Sequence, residues 1–259
     1  MEQMGANQVA GGETPNISVC IAAYNGERFI QQQIASVLSQ LTSNDEIVIV
    51  DDCSTDQTVS AIASFNDPRI LLIQNERNSG VVRTFERALA NSRNELLFLC
   101  DQDDLWRADK VQQFKNLFCR WPNLSLAASD ATISDAEGHI TSTSFVEIHP
   151  FYPGILRNLA RNRYLGCTMV LRRSLLAYCL PFPSDIPMHD VWIGMVNRLV
   201  GKSAFIADQL VMYRRHGKNA TSSIHAPMAQ MLRWRFALIK NLARMYFQRV
   251  VFRRPRLNY

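Results

Sequence analysis

The sequence lacks the features that mark membrane-spanning, secreted or redox proteins. No apolar run in its 259 residues approaches the roughly 18 to 20 residues needed to cross a bilayer. The first fifteen residues are polar and glycine-rich, without a signal-peptide core. The six cysteines are scattered without CxxC spacing, which fits reduced core residues in the cytosol. We therefore expect a cytoplasmic protein that is soluble or peripheral to the membrane.

Two kinds of nucleotide-binding signature are also missing. The chain contains neither GxGxxG nor GxxxxGK[ST], which argues against the common dinucleotide-binding and P-loop sites. The usual means of holding a diphosphate, a glycine-rich loop, is therefore not expected. Any bound nucleotide needs another set of contacts.

Acidic residues are absent from segment 227–259, although the net charge of the whole chain is only +5. Arginines and a lysine alternate there with aromatic and aliphatic residues, a pattern that predicts a basic amphipathic helix. Such a helix could lie on an anionic membrane, pack on the rest of the protein, or mediate oligomers. No recognised nucleic-acid-binding fold accompanies the charge, so we expect no nucleic-acid partner.

Short apolar runs alternate regularly with amphipathic stretches in the first half of the chain. The runs occupy residues 17–23, 46–51, 70–74 and 96–100. Each is followed by turn residues and a helical pattern. Because four βα units with short connections require right-handed crossovers, we predict an α/β fold with a doubly wound parallel sheet.

Polar residues follow three of these predicted strands: Asn25, then Asp51 and Asp52, then the acids of segment 101–104. Open parallel sheets bind ligands at the carboxyl ends of their strands. Crowded carboxylates raise each other's pKa unless a positive charge lies between them, and Mg²⁺ commonly binds one or two carboxylates plus phosphate oxygens. The pattern favours a nucleotide held by acids and a metal. The alternative for each residue alone is turn chemistry or helix capping.

Four sequence blocks resemble the successive signatures of the inverting family 2 glycosyltransferases, which have the GT-A fold. The blocks are SVCIAAYNG at 18–26, VDDCSTD at 50–56, NSG at 78–80 and CDQDDLW at 100–106. The resemblance implies a GT-A type, Rossmann-like nucleotide-sugar-binding domain with a mostly parallel sheet and, here, a C-terminal helical extension. We expect a flexible segment 1–15, a catalytic domain 16–226 with donor and acceptor halves meeting near residue 121, and a helix in 227–259.

The resemblance also implies roles for individual residues at the donor site. Residues matching Ala23, Tyr24 and Asp52 line the nucleobase pocket, and Asp101 would lie near the ribose or sugar. Asn25 and Asn78 belong to the same blocks.

Metal and phosphate contacts follow from the same resemblance. Asp103 would bind Mg²⁺ or Mn²⁺, with Asp104 and His216 as further candidate ligands; Asp104 could instead orient Trp106 or cap the next helix. Arg214 and His216 lie in a basic loop after a predicted strand and are assigned to phosphate contact. The alternative is a solvated basic turn.

The block MHDVW at 188–192 begins a predicted helix. An Asp in the first turn is usually a cap or a dipole complement, but the family places its general base here, often in a Glu-Asp pair. Asp190 is therefore the predicted base, because the acceptor hydroxyl must lose a proton. His189, which replaces the acid, would orient Asp190 or contact the acceptor, and Trp192 is assigned to the acceptor site.

The blocks CDQDDLW and MHDVW together most resemble bacterial rhamnosyltransferases that use dTDP-rhamnose to build O-antigen, capsule or exopolysaccharide. A UDP-sugar is the alternative donor, and a polyprenyl-diphosphate-linked saccharide at the inner face of the cytoplasmic membrane is the expected acceptor. A sugar-nucleotide nucleotidyltransferase is disfavoured, since loop 22–27 has no glycine cluster. An inactive saccharide-binding module is disfavoured by the intact acidic sites.

Overall fold

A computed structural model describes residues 14–149, 164–217 and 227–252. Most of the segment expected to be flexible, residues 1–13, lies outside this part of the chain. The strands are β1 Ile17–Ala23, β2 Glu46–Asp51, β3 Ile70–Gln74, β4 Leu96–Asp101, β5 Leu105–Trp106, β6 Leu124–Ser134, β7 Ile140–Ser142, β8 Met169–Arg172 and β9 Lys202–Arg214. The helices are α1 Ile30–Leu38, α2 Thr58–Ala63, α3 Val81–Asn91, α4 Lys110–Arg120, α5 Phe145–Ile148, α6 Leu176–Cys179, α7 His189–Val200 and α8 Met228–Tyr246.

The strands of the described residues form one sheet in the order β3-β2-β1-β4-β8-β6-β9-β5, with β7 added beside β6. Strands β3, β2, β1 and β4 are parallel, which confirms the predicted doubly wound arrangement. Strands β2, β1 and β4 are continuous apolar runs because both of their faces are buried. The strand order reverses between β1 and β4, and this reversal opens a crevice at their carboxyl ends.

The second half of the sheet departs from simple βα alternation. Strand β8 runs antiparallel between β4 and β6, and the long β9 pairs parallel with β6 along most of its length. Strands β6 and β7 form a hairpin, joined through a turn in which Gly138 has φ 94°. Strand β9 brings Tyr213 and Arg214 to the carboxyl edge of the sheet.

Helices α7 and α8 pack in succession on one side of the sheet. Residues 189–197 of α7 are all buried, so this helix is enclosed rather than amphipathic. On α8, Leu238 and Leu242 are buried, whereas Leu232 and Phe236 are 56% and 70% exposed. Within the described ranges, no helix is both long and apolar enough to cross a membrane.

Candidate functional site

One cavity of about 320 Å³ lies at the carboxyl ends of β1 and β4, between the N-terminal ends of α3 and α7. It brings together residues that are far apart in sequence. The predicted site residues that line it are Ala23, Tyr24, Asp52, Asn78, Asp101, Asp103, His189 and Asp190. Those that do not are Asn25, Asp104, Trp192, Arg214 and His216.

Asp52 shapes the cavity wall that precedes α3. Its Oδ1 accepts hydrogen bonds from the side chain of Asn75 at 2.7 Å and the backbone N–H of Ser79 at 2.8 Å, and its Oδ2 accepts from Gly80 N–H at 2.8 Å. Gly80, with φ 83°, adopts a left-handed conformation that glycine tolerates. A carboxylate accepts about four hydrogen bonds, so Asp52 retains capacity for one more donor.

Gln102, the residue between the acids, holds Tyr24 in place at the cavity mouth. Its Oε1 accepts from Tyr24 N–H at 2.9 Å, and its Nε2 donates to the Tyr24 carbonyl at 3.0 Å. The side chain thus extends the pairing of β1 with β4 past the ends of both strands. Gly26 leaves the necessary room, since a Cβ there would clash with the Gln102 amide. This role of Gln102 was not predicted from the sequence, although its position between two acids was the available signal.

Asn25, which the resemblance assigns to the donor site, lies outside the cavity lining. It has φ 47°, its N–H donates to Ser54 Oγ at 2.9 Å, and its Oδ1 accepts from Thr55 N–H at 2.9 Å. These bonds join the turn after β1 to the turn after β2. These contacts fit the alternative role given above for Asn25, that of a turn residue.

The acids after β4 divide between the cavity and the interior. Asp101 and Asp103 line the cavity, but Asp104 is buried beneath it, where its Oδ1 accepts from Arg214 N–H at 2.9 Å. Burial, followed by repulsion from Asp104 and Asp103, raises the pKa of Asp101 well above its usual range. Burial and the neighbouring Asp103 raise the pKa of Asp104 to about 7.

A lysine that the sequence analysis missed compensates this negative charge. Lys110, at the start of α4, is fully buried, its Nζ donates to the Cys167 carbonyl at 2.7 Å, and it lies 3.9 Å from the centroid of the Trp106 ring. Burial lowers the pKa of Lys110 to about 8, while Asp104 and Asp101 favour its charged form. Part of the positive charge that the acids require therefore comes from the protein itself.

The donor atoms facing the cavity fit a hard divalent cation better than those behind it. Ligand atoms of Asp101, Asp104 and Cys167 lie within 4.8 Å of one another, but burial and nearby acids raise the pKa of Cys167 well above its usual range. A protonated thiol is a poor ligand for Mg²⁺ or Mn²⁺. Asp103 offers oxygen on the cavity side, whereas Asp104 is buried beneath the cavity and does not line it, so we favour Asp103 as the metal ligand.

Arg214 and His216 both contact the ring of Phe29. His216 stacks on the Phe29 ring at 5.1 Å, and its Nε2 is 2.7 Å from Asp103 Oδ2. The Arg214 guanidinium is 4.6 Å from the same ring and donates to the Ala136 carbonyl at 3.1 Å. Neither side chain lines the cavity, so His216 reaches the site through Asp103, and Arg214 through its backbone N–H to Asp104.

Asp190 is the second acidic centre of the cavity. It is 7% exposed, and its Oδ1 accepts from the backbone N–H of Val191 at 2.6 Å, with a further hydrogen bond from Gly166 N–H. Burial outweighs these hydrogen bonds and raises its pKa to about 7. A carboxylate of near-neutral pKa that faces a cavity has the properties of a general base.

His189 and Trp192 begin the same helix but have opposite surroundings. His189 lines the cavity and stacks on Phe85 at 4.0 Å between ring centroids. Trp192 is buried in the core, where its Nε1 donates to the Cys179 carbonyl at 2.9 Å. The structure thus places Trp192 in the core and outside the cavity lining, where the acceptor role predicted for it has no supporting contact.

Comparison with known proteins agrees with this geometry. Residues 18–178 match the family described as Glycosyl transferase family 2. TuaG of Bacillus subtilis, named for teichuronic acid biosynthesis, is 35% identical over 81% of this chain and 82% of its own length. The Escherichia coli UDP-Glc:alpha-D-GlcNAc-diphosphoundecaprenol beta-1,3-glucosyltransferase WfgD is 31% identical, over 64% of each chain.

Solved structures show the same fold at lower identity. TarS 1–349 of S. aureus in complex with UDP-GlcNAc superposes with a TM-score of 0.68 at 19% identity, over 90% of this chain and 66% of TarS 1–349. The Pyrobaculum calidifontis mannosyltransferase PcManGT, in complex with GDP-Man and Mn²⁺, gives a TM-score of 0.58 at 18% identity over 94% of this chain and 66% of its own. The chain thus spans about two thirds of WfgD and of both structures. From the match over residues 18–178 and the identity to TuaG, this chain belongs to glycosyl transferase family 2.

Proposed function

We propose that this chain is a metal-dependent inverting glycosyltransferase that moves a sugar from a nucleoside diphosphate to a saccharide in bacterial surface-polysaccharide synthesis. One observation carries the proposal: a single cavity holds the strand-end acids Asp101 and Asp103 on one side and Asp190 on the other. The first pair suits a charged donor, and the isolated acid suits proton removal. The names of TuaG and WfgD support the polysaccharide context.

The donor side is formed by the ends of β1, β2 and β4. Tyr24 and Ala23 provide the surface for the nucleobase, and the remaining acceptor site of Asp52 suits the ring N–H of uracil or thymine. Asp101 accepts hydroxyl hydrogen bonds from the ribose or sugar. Asp103 would hold Mg²⁺ or Mn²⁺, and a cation there would provide positive charge for the diphosphate. His216 contacts Asp103 and limits the movement of that carboxylate.

The proposed reaction is a single displacement in which Asp190 holds the proton. An acceptor hydroxyl oxygen forms a bond to the anomeric carbon while the bond from that carbon to the diphosphate oxygen breaks. The hydroxyl proton passes to an Asp190 oxygen, and the leaving diphosphate keeps the electron pair. Because attack and departure occur on opposite faces of the sugar, the anomeric configuration inverts. A base of this kind contributes roughly 10²- to 10⁴-fold to the rate.

Donor identity belongs to the same proposal. The sequence blocks favour dTDP-rhamnose, while the names of WfgD and the TarS complex point to UDP-sugars. Asp52 accepts from an N–H that uracil and thymine share, so the base pocket does not separate these donors. We favour a polyprenyl-diphosphate-linked saccharide as acceptor, as in the name of WfgD.

A donor panel tests the proposed activity. Purified protein is incubated with dTDP-rhamnose, UDP-glucose, UDP-N-acetylglucosamine and GDP-mannose, with a polyprenyl-diphosphate saccharide as acceptor. Transfer to the acceptor with release of a nucleoside diphosphate, restored by Mn²⁺ or Mg²⁺ after chelation, is the expected result. Release of pyrophosphate from dTTP and a sugar 1-phosphate would instead indicate a nucleotidyltransferase. Absence of transfer from every donor contradicts the proposal.

Helix α8 supports a peripheral position at the inner face of the cytoplasmic membrane. Its buried side packs on the domain, where Lys240 Nζ is 2.6 Å from Asp185 Oδ2. Its outer side exposes an apolar stripe of Leu232, Phe236 and Ile239, each more than half exposed. Arginines accompany the stripe, and each adds about 1 kcal/mol of attraction near an anionic surface. The helix thus both packs on the enzyme and presents a surface suited to lipid.

Vesicle co-sedimentation tests this position. Full-length protein should bind phosphatidylserine-containing vesicles more strongly at low than at high salt, and Phe236→Ser should weaken binding without lowering thermal stability. Ile140→Ser, which removes a 62% exposed apolar residue from β7, is the matched control and should bind like the wild type. Equal binding by all three proteins, or none by the wild type, contradicts the membrane position.

A further inference from the structure

An imidazole on the cavity wall has its hydrogen-bonding capacity unused. His189 is only 2% exposed, and neither of its ring nitrogens has a hydrogen-bond partner in the described part of the chain. A buried polar group without a partner costs free energy, so natural proteins seldom keep one without a reason. Since His189 lines the cavity, a ligand in the cavity is the partner available to it.

The ring is fixed in orientation by its neighbours. It stacks on Phe85, a fully buried residue of α3, with the two planes inclined by 22°. Gly166 lies near the Nε2 edge of the ring, where an added Cβ would be 3.2 Å from His189 Nε2 and 3.6 Å from Asp190 Cβ. Glycine therefore leaves room beside both the imidazole and the base. We call these three residues, His189, Phe85 and Gly166, the imidazole corner.

The charge state of the ring defines what it can bind. Burial lowers the pKa of His189 to about 3, so the imidazole is neutral at physiological pH. A neutral imidazole offers one N–H donor and one nitrogen acceptor. A hydroxyl group can pair with whichever nitrogen it meets, by accepting from the N–H or by donating to the bare nitrogen, whereas a carboxylate can only accept and an ammonium group can only donate.

We propose that the imidazole corner binds a sugar hydroxyl beside Asp190 and selects an uncharged, hydroxylated part of the substrate. This inference rests on the proposed glycosyl transfer. His189 is in this view a specificity residue, and it contacts substrate without taking the reacting proton. The hydroxyl belongs either to the donor sugar or to the acceptor, and the assays below separate the two.

The direct test is His189→Phe, which keeps the stack on Phe85 and removes both nitrogens. We expect KM for one substrate to rise about 10-fold, the effect of losing one buried hydrogen bond, while kcat changes little. A rise confined to the acceptor KM assigns the hydroxyl to the acceptor. A rise in donor KM, seen also in donor hydrolysis without acceptor, assigns it to the donor. Unchanged KM for both substrates overturns the inference.

Gly166→Ala provides an independent variant in which His189 is intact. Its methyl group would occupy the space next to Nε2, so the same KM should rise. In the double variant, KM should rise by less than the product of the two single rises, because both changes act on one contact. Fully independent effects, or an effect on the other substrate, would contradict a shared corner.

Trp192→Phe is the matched control, since it changes a ring three residues along the same helix. It removes the hydrogen bond to the Cys179 carbonyl and should lower the melting temperature without changing either KM. His189→Phe should show the reverse, with an equal or higher melting temperature and a changed KM. A drop in melting temperature for His189→Phe as large as that for Trp192→Phe would mean that His189 is structural, and the inference would be wrong.

A binding measurement keeps this inference separate from the proposed activity. In protein labelled at histidine, the imidazole resonance missing from the His189→Phe spectrum should shift when UDP-glucose, dTDP-rhamnose or a free oligosaccharide binds. If ligand binds and no transfer is found, the proposed function fails while the shift still supports the corner. If calorimetry shows that these ligands bind and the resonance does not move, the corner fails while transfer can still be demonstrated.

Discussion

The two acidic centres of the cavity differ in what surrounds them. Asp101 and Asp103 lie in a network of charges, with the Lys110 ammonium behind them and His216 in contact with Asp103. Among the described residues, the hydrogen-bond donors to Asp190 are backbone N–H groups. Burial raises the pKa of all three acids. The same type of side chain therefore suits two kinds of chemistry. Asp101 and Asp103 suit the binding of a charged ligand or cation, and Asp190 suits the acceptance of a proton.

Replacement of the isolated acid should have the largest effect. In Asp190→Asn the proton acceptor is lost while the cavity shape remains, so kcat should fall roughly 10²- to 10⁴-fold and donor affinity should stay near normal. Single-turnover assays combined with calorimetry of donor binding measure the two quantities. Parallel losses in binding and turnover would show that Asp190 is a structural residue, and the contrast between the centres would disappear.

The next largest expected effect is a loss of folding stability when the buried lysine is removed. Lys110→Met leaves the buried Cys167 carbonyl without its donor and Asp101 and Asp104 without a nearby cation, and a buried polar group left without its partner costs about 1 to 3 kcal/mol. Urea unfolding of the variant measures the change in the free energy of unfolding. Lys115→Met is the control. This lysine lies 3.4 Å from Asp45 and does not line the cavity, so its loss should leave donor binding unchanged. A Lys110 variant as stable as the wild type would refute the compensating role.

Neutralising the charge-holding centre should weaken binding rather than proton transfer. Asp103→Asn removes a charged oxygen ligand from the cavity. The affinity for Mn²⁺ and the affinity for the donor in the presence of metal should each fall by about 10- to 100-fold, the range seen when a metal site loses a supporting group. Titration calorimetry with and without Mn²⁺ provides the measurement. Asp104→Asn, in the interior, serves as the comparison and should leave the metal dependence of donor binding largely intact. If metal-dependent donor binding is unaffected in Asp103→Asn, the assignment of Asp103 as the metal ligand is wrong.

The smallest expected effect is in the pH dependence of kcat/KM and of stability. With the pKa of Asp190 near 7, kcat/KM should rise about tenfold per pH unit below neutrality and level off above it. The folded-state pKa is raised above the ordinary value of 3.8, so folding takes up a proton; this contribution to stability is present below pH about 4 and is lost as pH rises towards 7. Melting curves at pH 5 and pH 8 should therefore differ less for Asp190→Asn than for the wild type. An identical difference in both proteins would argue against the raised pKa.

The parts of the fold that were predicted correctly depend on local patterns. Strands β1, β2 and β4 are continuous apolar runs followed by turn residues, and both features are written in consecutive positions of the chain. Because parallel strands align their carboxyl ends, Asp52 and Asp101 could be expected at one crevice before any contact was known. The resemblance to family 2 added Asp190, which no local pattern identifies.

The parts that were missed depend on packing. Lys110 and Gln102 have ordinary surroundings in the sequence, and their roles arise only when α4 and the turn after β1 are placed against β4. Residues 25 and 52 both follow strand ends, yet only Asp52 faces the cavity. The difference comes from the turn after β2, whose Ser54 and Thr55 bind Asn25.

Helix α7 shows most clearly what sequence and tertiary structure each determine. The sequence by itself determined that a helix begins near Asp190 and that acids and apolar strands recur in a doubly wound order. His189 and Trp192 are three residues apart, so they are neighbours on the helix surface, and the pattern assigned both to the acceptor. Only the tertiary structure placed His189 against Phe85 at the cavity and Trp192 in the core. The physical reason is that α7 is enclosed on all sides, so the direction each ring takes depends on the space left by neighbouring elements rather than on its position in the helix.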